Sequence, residues 1–246
     1  MAKQKRPRSA RRRRILKRLR ITTLAALLLG LTAFLSWSSI LYPADAGAYS
    51  SVVDNPAIDV SSRPAALLLT PTSGATDVGL VFLPGAKVPA QAYAYKLSGL
   101  VEAGVTVVIT KPILNLAFFD LRPLSTFTDL APDIDRWYVG GHSLGGVKAC
   151  SWAADEEGLV LFGSYCAGAT DARALSIGGS DDGLSTPADI RANADKLTGE
   201  ASFVEIEGAN HAAFGDYGVQ PGDGTATLAS SDVRDRITEL LTGFVR

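Results

Sequence analysis

Ser143, His211 and an acid between them, Asp181 or Asp182, have the types and the local settings that nucleophilic acyl chemistry needs. Residues 138–152 read YVGGHSLGGVKACSW, so an apolar strand ending in Trp137, Tyr138 and Val139 meets a small-residue helix start through Gly141, Ser143 and Gly145. This is the G-x-S-x-G spacing of a strand that turns at once into a helix. Such a turn strains the central Ser, and side-chain-free neighbours let the helix pass close by. The helix N-terminus then favours negative charge developing beside the hydroxyl. A Ser hydroxyl attacks a carbonyl only when a base takes its proton and a carboxylate orients that base. The chain has two histidines. His142 adjoins Ser143, and neighbouring side chains diverge at a tight turn, so His211 is the candidate base. It lies in FVEIEGANHAAFGDY, residues 203–217, where an alternating strand runs into a Gly/Asn loop. Between the two, ALSIGGSDDGLSTP at residues 174–187 is an apolar strand followed by Asp181 and Asp182, either of which could orient the His.

Ser, then Asp, then His, each on a loop after a strand, is the chain order of the α/β-hydrolase superfamily. From residue 79 to the C-terminus the chain resembles that superfamily, most closely its small, lidless, dienelactone-hydrolase-like branch, with GHSLGG and GANHAAF as the most specific pieces. Dienelactone hydrolases carry a Cys nucleophile where this chain has Ser143, so their substrate does not carry over. The resemblance implies Asp182 over Asp181, because it places the acid three residues after the strand-end Gly179. It also implies an oxyanion loop in PGAKV after residues 78–83, with Pro84 where the superfamily has His. Backbone N–H groups do that work, so the expected donors are Leu144 and Ala86, with Lys87 as the alternative to Ala86. The implied activity is hydrolysis of ester-type bonds in a small-molecule substrate through an acyl-enzyme. A thioesterase or peptidase would use the same triad, and a non-catalytic binding protein is the remaining class.

The elements that must position these residues alternate between strand and helix. Residues 65–70 and 78–83 read as strands, 90–103 as a helix stopped by Gly104, and 105–109 as a β-branched strand buried on both faces. Residues 111–120 read as a loop whose Phe118 and Phe119 either line an acyl pocket or join the core. A crossover helix over 124–132 precedes the strand that feeds Ser143. Beyond it, 158–163 is a strand, and residues 164–173 are too few to form a lid, so an open site is expected. Thr186 caps a helix over 186–198 with Pro187 at its first position, and residues 232–244 close the chain as a helix. The pattern predicts a doubly wound, mostly parallel α/β sheet. No Cys/His metal spacing, GxxxxGK loop or dinucleotide fingerprint occurs, so neither cofactor nor metal is expected.

Eleven Lys or Arg and no acid fall within residues 1–20, and residues 21–41 carry no charge at all. A 21-residue apolar stretch is long enough to cross a bilayer core of about 30 Å, and the basic flank keeps its own side cytoplasmic. A signal peptide cut at the A-x-A-like Ala44–Ala46 competes with this anchor, but the stretch exceeds the usual apolar region of about 7 to 15 residues. The domain plan is therefore a basic tail (1–20), an anchor (21–41), a linker or early edge strand (42–64) and the α/β domain (65–246). Without the tail, thirteen basic residues face twenty-five acidic ones, a formal charge of −12. Such a body is not built to bind nucleic acid through net charge. Cys150 and Cys166 fit an extracytoplasmic protein as a disulfide or as buried thiols, and the helical setting of Cys150 favours thiols.

Overall fold

The computed structural model describes residues 8–245, so Lys3, Lys5 and Arg6 of the basic run lie outside the described residues. The chain divides into two units after Ile40. The first holds helix α1, Arg8–Ser39. Arg, Lys and Leu are good helix formers, so from Arg8 onward the basic residues share one helix with the apolar stretch instead of preceding it as a tail. Arg12–Ser39 is long and apolar enough to cross a membrane, with a mean hydropathy of 1.8 in its most apolar window.

The second unit is built on eight strands: β1 (Ile58–Ser62), β2 (Ala66–Pro71), β3 (Val78–Leu83), β4 (Thr106–Thr110), β5 (Arg136–His142), β6 (Gly158–Phe162), β7 (Ala174–Gly179) and β8 (Ala201–Ile206). They lie in the order β1-β2-β4-β3-β5-β6-β7-β8. The β1–β2 and β2–β4 pairs are antiparallel and every other pair is parallel. This is the expected mostly parallel sheet with helices on both faces. Side chains alternate across it: Leu80, Phe82 and Tyr138 join one core with Leu97 of α3 (Ala94–Glu102) and Ile237 of α7 (Ser230–Phe244). Val81, Leu83 and Val139 join the other, with Phe127 of α4 (Ser125–Thr128) and Ala149 of α5 (Leu144–Ala149). Central strands β3, β4, β6 and β7 are buried along their whole length, which explains their near-continuous apolar reading.

Several elements differ from the sequence expectation. Residues 46–53 are not a free linker, since α2 (Ala46–Val53) is capped by Asp45, which accepts the Ala48 N–H at 2.7 Å, while β1 is the early edge strand that the sequence offered as the alternative. Val52 and Ile58 anchor this stretch in the core, which its Ala/Ser-rich composition hid. The expected crossover helix over 124–132 shrinks to the four residues of α4. Thr186 does cap a helix, α6 (Pro187–Ala192), through a capping box with Asp189, but a separate 3-10 turn follows at Ala194–Lys196. The cysteines are a further correction. α5 spans only six residues, so Cys150 is its C-cap, 5.7 Å (Cα–Cα) from the buried Cys166, to which it is disulfide-bonded.

Candidate active site

Strands β3 and β5 are neighbours, yet the chain leaves β3 toward β4 on one side and β5 toward β6 on the other. Such a switch point opens a crevice at the carboxyl ends of the strands, where ligands bind in open α/β sheets. Both stretches of interest end there: β3 runs into Pro84 and Gly85, and β5 runs into Ser143.

Ser143 has φ 51° and ψ −125°, the strained turn its flanking glycines were expected to allow. Gly145 must be side-chain-free, since a Cβ there would come within 2.1 Å of the Leu83 carbonyl oxygen. Three hydrogen bonds hold the turn: Ser143 N–H donates to the Phe162 carbonyl at 3.0 Å, and the Ser143 carbonyl accepts from the buried Ser164 Oγ at 2.7 Å and from the Val147 N–H at 3.2 Å. Ser143 itself is half-buried and reachable.

On β7's exit loop, Asp182 is 3% exposed and accepts the Leu184 and Ser185 N–H groups on Oδ1 at 2.8 and 2.7 Å. Its Oδ2 lies 2.8 Å from His211 Nδ1. Asp181 makes no hydrogen bond to that imidazole among the described residues; its Oδ1 accepts from Ser180 Oγ at 3.4 Å. A carboxylate only accepts, so Nδ1 carries a proton, and in the neutral imidazole that leaves the lone pair on Nε2. That Nε2 is buried and has no hydrogen-bond partner among the described residues, Ser143 Oγ included. The pair fits because residue 163 is Gly at φ 47°, where a Cβ would lie 2.8 Å from Asp182 Oδ2 and 3.1 Å from His211 Nδ1.

Sequence reasoning missed the supports around this pair. Asp223 accepts four backbone N–H groups: Oδ1 takes Gly183, His211 and Gly224 at 3.2, 3.0 and 2.8 Å, and Oδ2 takes Ala212 at 2.8 Å. Nothing in the local pattern separates Asp223 from the chain's other acids. His142 points away from the Ser143 hydroxyl into a polar chain: Gly85 N–H donates to Tyr93 Oη at 2.9 Å, and the Tyr93 proton is assigned to His142 Nδ1, also at 2.9 Å. The His142 ring packs on that of His211, with centroids 4.3 Å apart. Burial pushes the His142 pKa well down and the neighbouring His211 pushes the same way, against a smaller opposing pull from the His211 backbone, so His142 is neutral.

On the oxyanion side, Lys87 N–H is spent on the Asn115 carbonyl at 2.8 Å. The Ala86 and Leu144 N–H groups have no protein acceptor among the described residues. Phe118 and Phe119 do not join the core: the 3-10 turn Ala117–Phe119 buries Ala117 and leaves the two rings 69% and 44% exposed. Among the described residues, no group of three His, Cys, Asp or Glu side chains is placed to hold a metal ion.

A family model described as the alpha/beta hydrolase family matches residues 79–235. The chain belongs to the alpha/beta hydrolase family. No curated protein matches this chain in a sequence comparison. The matched span of this hydrolase runs from β3 into α7 and so contains Ser143, Asp182 and His211. The β6–β7 connection, residues 163–173, contains no helix.

Proposed function

We propose that the protein is a serine hydrolase that cleaves carboxylic ester-type bonds in two steps. Ser143 attacks the carbonyl as His211 Nε2 accepts its proton, and the leaving alcohol takes that proton back. Water then attacks the acyl-enzyme through the same His. Asp182 keeps the imidazole in the tautomer with a bare Nε2. The Ala86 and Leu144 N–H groups stabilise the oxyanion, with Lys87 set aside because its N–H is already bonded. The observation that carries the reading is the 2.8 Å Asp182–His211 contact beside an unpartnered, buried Nε2, on the loop order expected of a triad. No step needs a cofactor.

The reading extends to place. We assign the apolar helix as an uncleaved anchor with the acidic domain outside the cytoplasm. Supporting this, Asp45 is built into the domain: its N–H donates to the Asp216 carbonyl at 2.7 Å and its carboxylate caps α2, so a cut after Ala46 would remove both contacts. The test is hydrolysis of short and medium acyl p-nitrophenyl esters beside thioesters and peptides, with Ser143→Ala, His211→Ala and the double variant. Each single change should remove nearly all ester turnover, and the double should be barely worse, since triad members act as a unit. Losses that add in the double variant would refute the assignment.

A further inference from the structure

The second unit exposes nine large apolar side chains, and they are not spread evenly. Six of them, Ile113, Phe118, Phe119, Leu121, Leu184 and Val219, lie on loops that leave the carboxyl ends of β4, β7 and β8. Leu121 and Val219 are 86% and 89% exposed. Each of these loops adjoins the candidate site. Asn115 holds the Lys87 N–H, Leu184 N–H donates to Asp182, and Val219 sits between His211 and Asp223 on one loop. An apolar rim on the single edge that carries the chemistry marks a contact surface, since scattered apolar residues would show no such preference.

The first residues of the second unit also pack at this edge. Tyr42 N–H donates to the carbonyl of Lys87, next to Ala86, at 2.9 Å, and the Tyr42 ring packs against Tyr217 at 6.0 Å between centroids. Tyr42 directly follows the uncharged stretch of residues 21–41 in sequence. We propose that this edge is a membrane-facing surface whose occupant is the lipid bilayer, and that the ester substrate is an amphipath held in that bilayer. The proposal rests on the ester-hydrolase and anchor readings. With a domain charge of −12, attachment would come from apolar loop tips entering the interface and not from attraction to anionic lipid.

The experiment uses the full-length protein reconstituted in phosphatidylcholine vesicles, with two readouts. First, F118W in vesicles of lipid brominated near the headgroup should show quenching beyond that of the parent protein, unchanged by high salt. Second, F118S/L121S should lose roughly tenfold or more turnover of p-nitrophenyl palmitate held in the vesicles, while hydrolysis of soluble p-nitrophenyl acetate stays at the parent rate. Absent added quenching would overturn the proposal. So would equal losses on both esters, which would make the rim a pocket for soluble acyl groups, or fluorescence changes that follow protein concentration alone, which would make it a contact between copies. If the parent protein hydrolyses neither ester but the quenching stands, the Ser143 chemistry fails while the membrane-facing edge holds.

Discussion

The Ser164 hydroxyl donates to the Ser143 carbonyl at 2.7 Å, and that carbonyl belongs to the same peptide unit as the Leu144 N–H. A peptide is planar, with its C=O and N–H directed oppositely, so fixing the carbonyl aims the N–H. Ser164 is therefore a positioning residue for one proposed oxyanion donor. Ser164→Ala should lower kcat by about ten- to a hundredfold, less than outright loss of such a donor, with KM little changed. It should cost on the order of 1 kcal/mol in unfolding free energy. A rise in KM at constant kcat would show that Ser164 serves binding alone.

The acid can be tested against its neighbour. Asp182→Asn should cost about 10⁴ in turnover, because the amide would place His211 in the wrong tautomer. Asp181→Asn should be mild, since its side chain makes no hydrogen bond to the imidazole among the described residues. Steady-state kinetics on one soluble ester decides it, and a reversed ranking would move the role to Asp181.

His142 gives a pH dependence of stability. Its folded pKa lies well below the ordinary 6.5, so below pH 6.5 the unfolded chain binds a proton that the folded chain refuses. The stabilisation is complete above that pH and is lost as pH falls through it toward the folded value. The titratable groups facing His142 are the His211 ring, the Tyr93 hydroxyl and the Tyr217 ring. Urea midpoints should therefore fall between pH 7.5 and 5.5. His142→Asn, which keeps an acceptor for Tyr93 and cannot titrate, should flatten that fall. An unchanged slope in the variant would assign it to other groups.

Much of the site was legible because its constraints are local. Glycines at 141 and 145 announce a tight strand-to-helix turn, and two histidines leave few choices of base. The parallel sheet was legible for a similar reason: strands such as residues 106–110 are buried on both faces and read as unbroken β-branched runs. What stayed hidden is set by tertiary neighbours. Ser164 and Asp223 matter because of the backbone groups that fold against them, and no spacing rule marks such acceptors. The bond between Cys150 and Cys166 depended on where α5 stops, and the exposure of Phe118 on which way one 3-10 turn faces. Residues 46–53 misled because Ala and Ser suit a linker as well as a helix, and the deciding cap and the burial of Val52 are visible only in the fold.

Asp223 joins the loop of the acid to the loop of the base. Its Oδ1 accepts Gly183 N–H, one residue past Asp182, together with His211 N–H, while Oδ2 accepts Ala212 N–H. Loosening it should let the Asp182–His211 pair drift without touching either side chain. Asp223→Ala removes every acceptor. Asp223→Asn keeps one oxygen but turns an amide N–H toward a backbone donor, so at least one bond is lost. Kinetic losses should rank Ala above Asn, with kcat reduced by about a hundredfold or more in the Ala variant, because misplacing reacting groups by about 1 Å costs that much. A purely structural role would instead lower the folded fraction and leave kcat per folded molecule intact. Titrating active sites with a phosphonate that labels Ser143, alongside thermal melts, separates the two. The expected result is a slow labelling rate in protein that is fully folded at the assay temperature. Parent-like labelling per folded molecule would reduce Asp223 to a loop staple without a part in the chemistry.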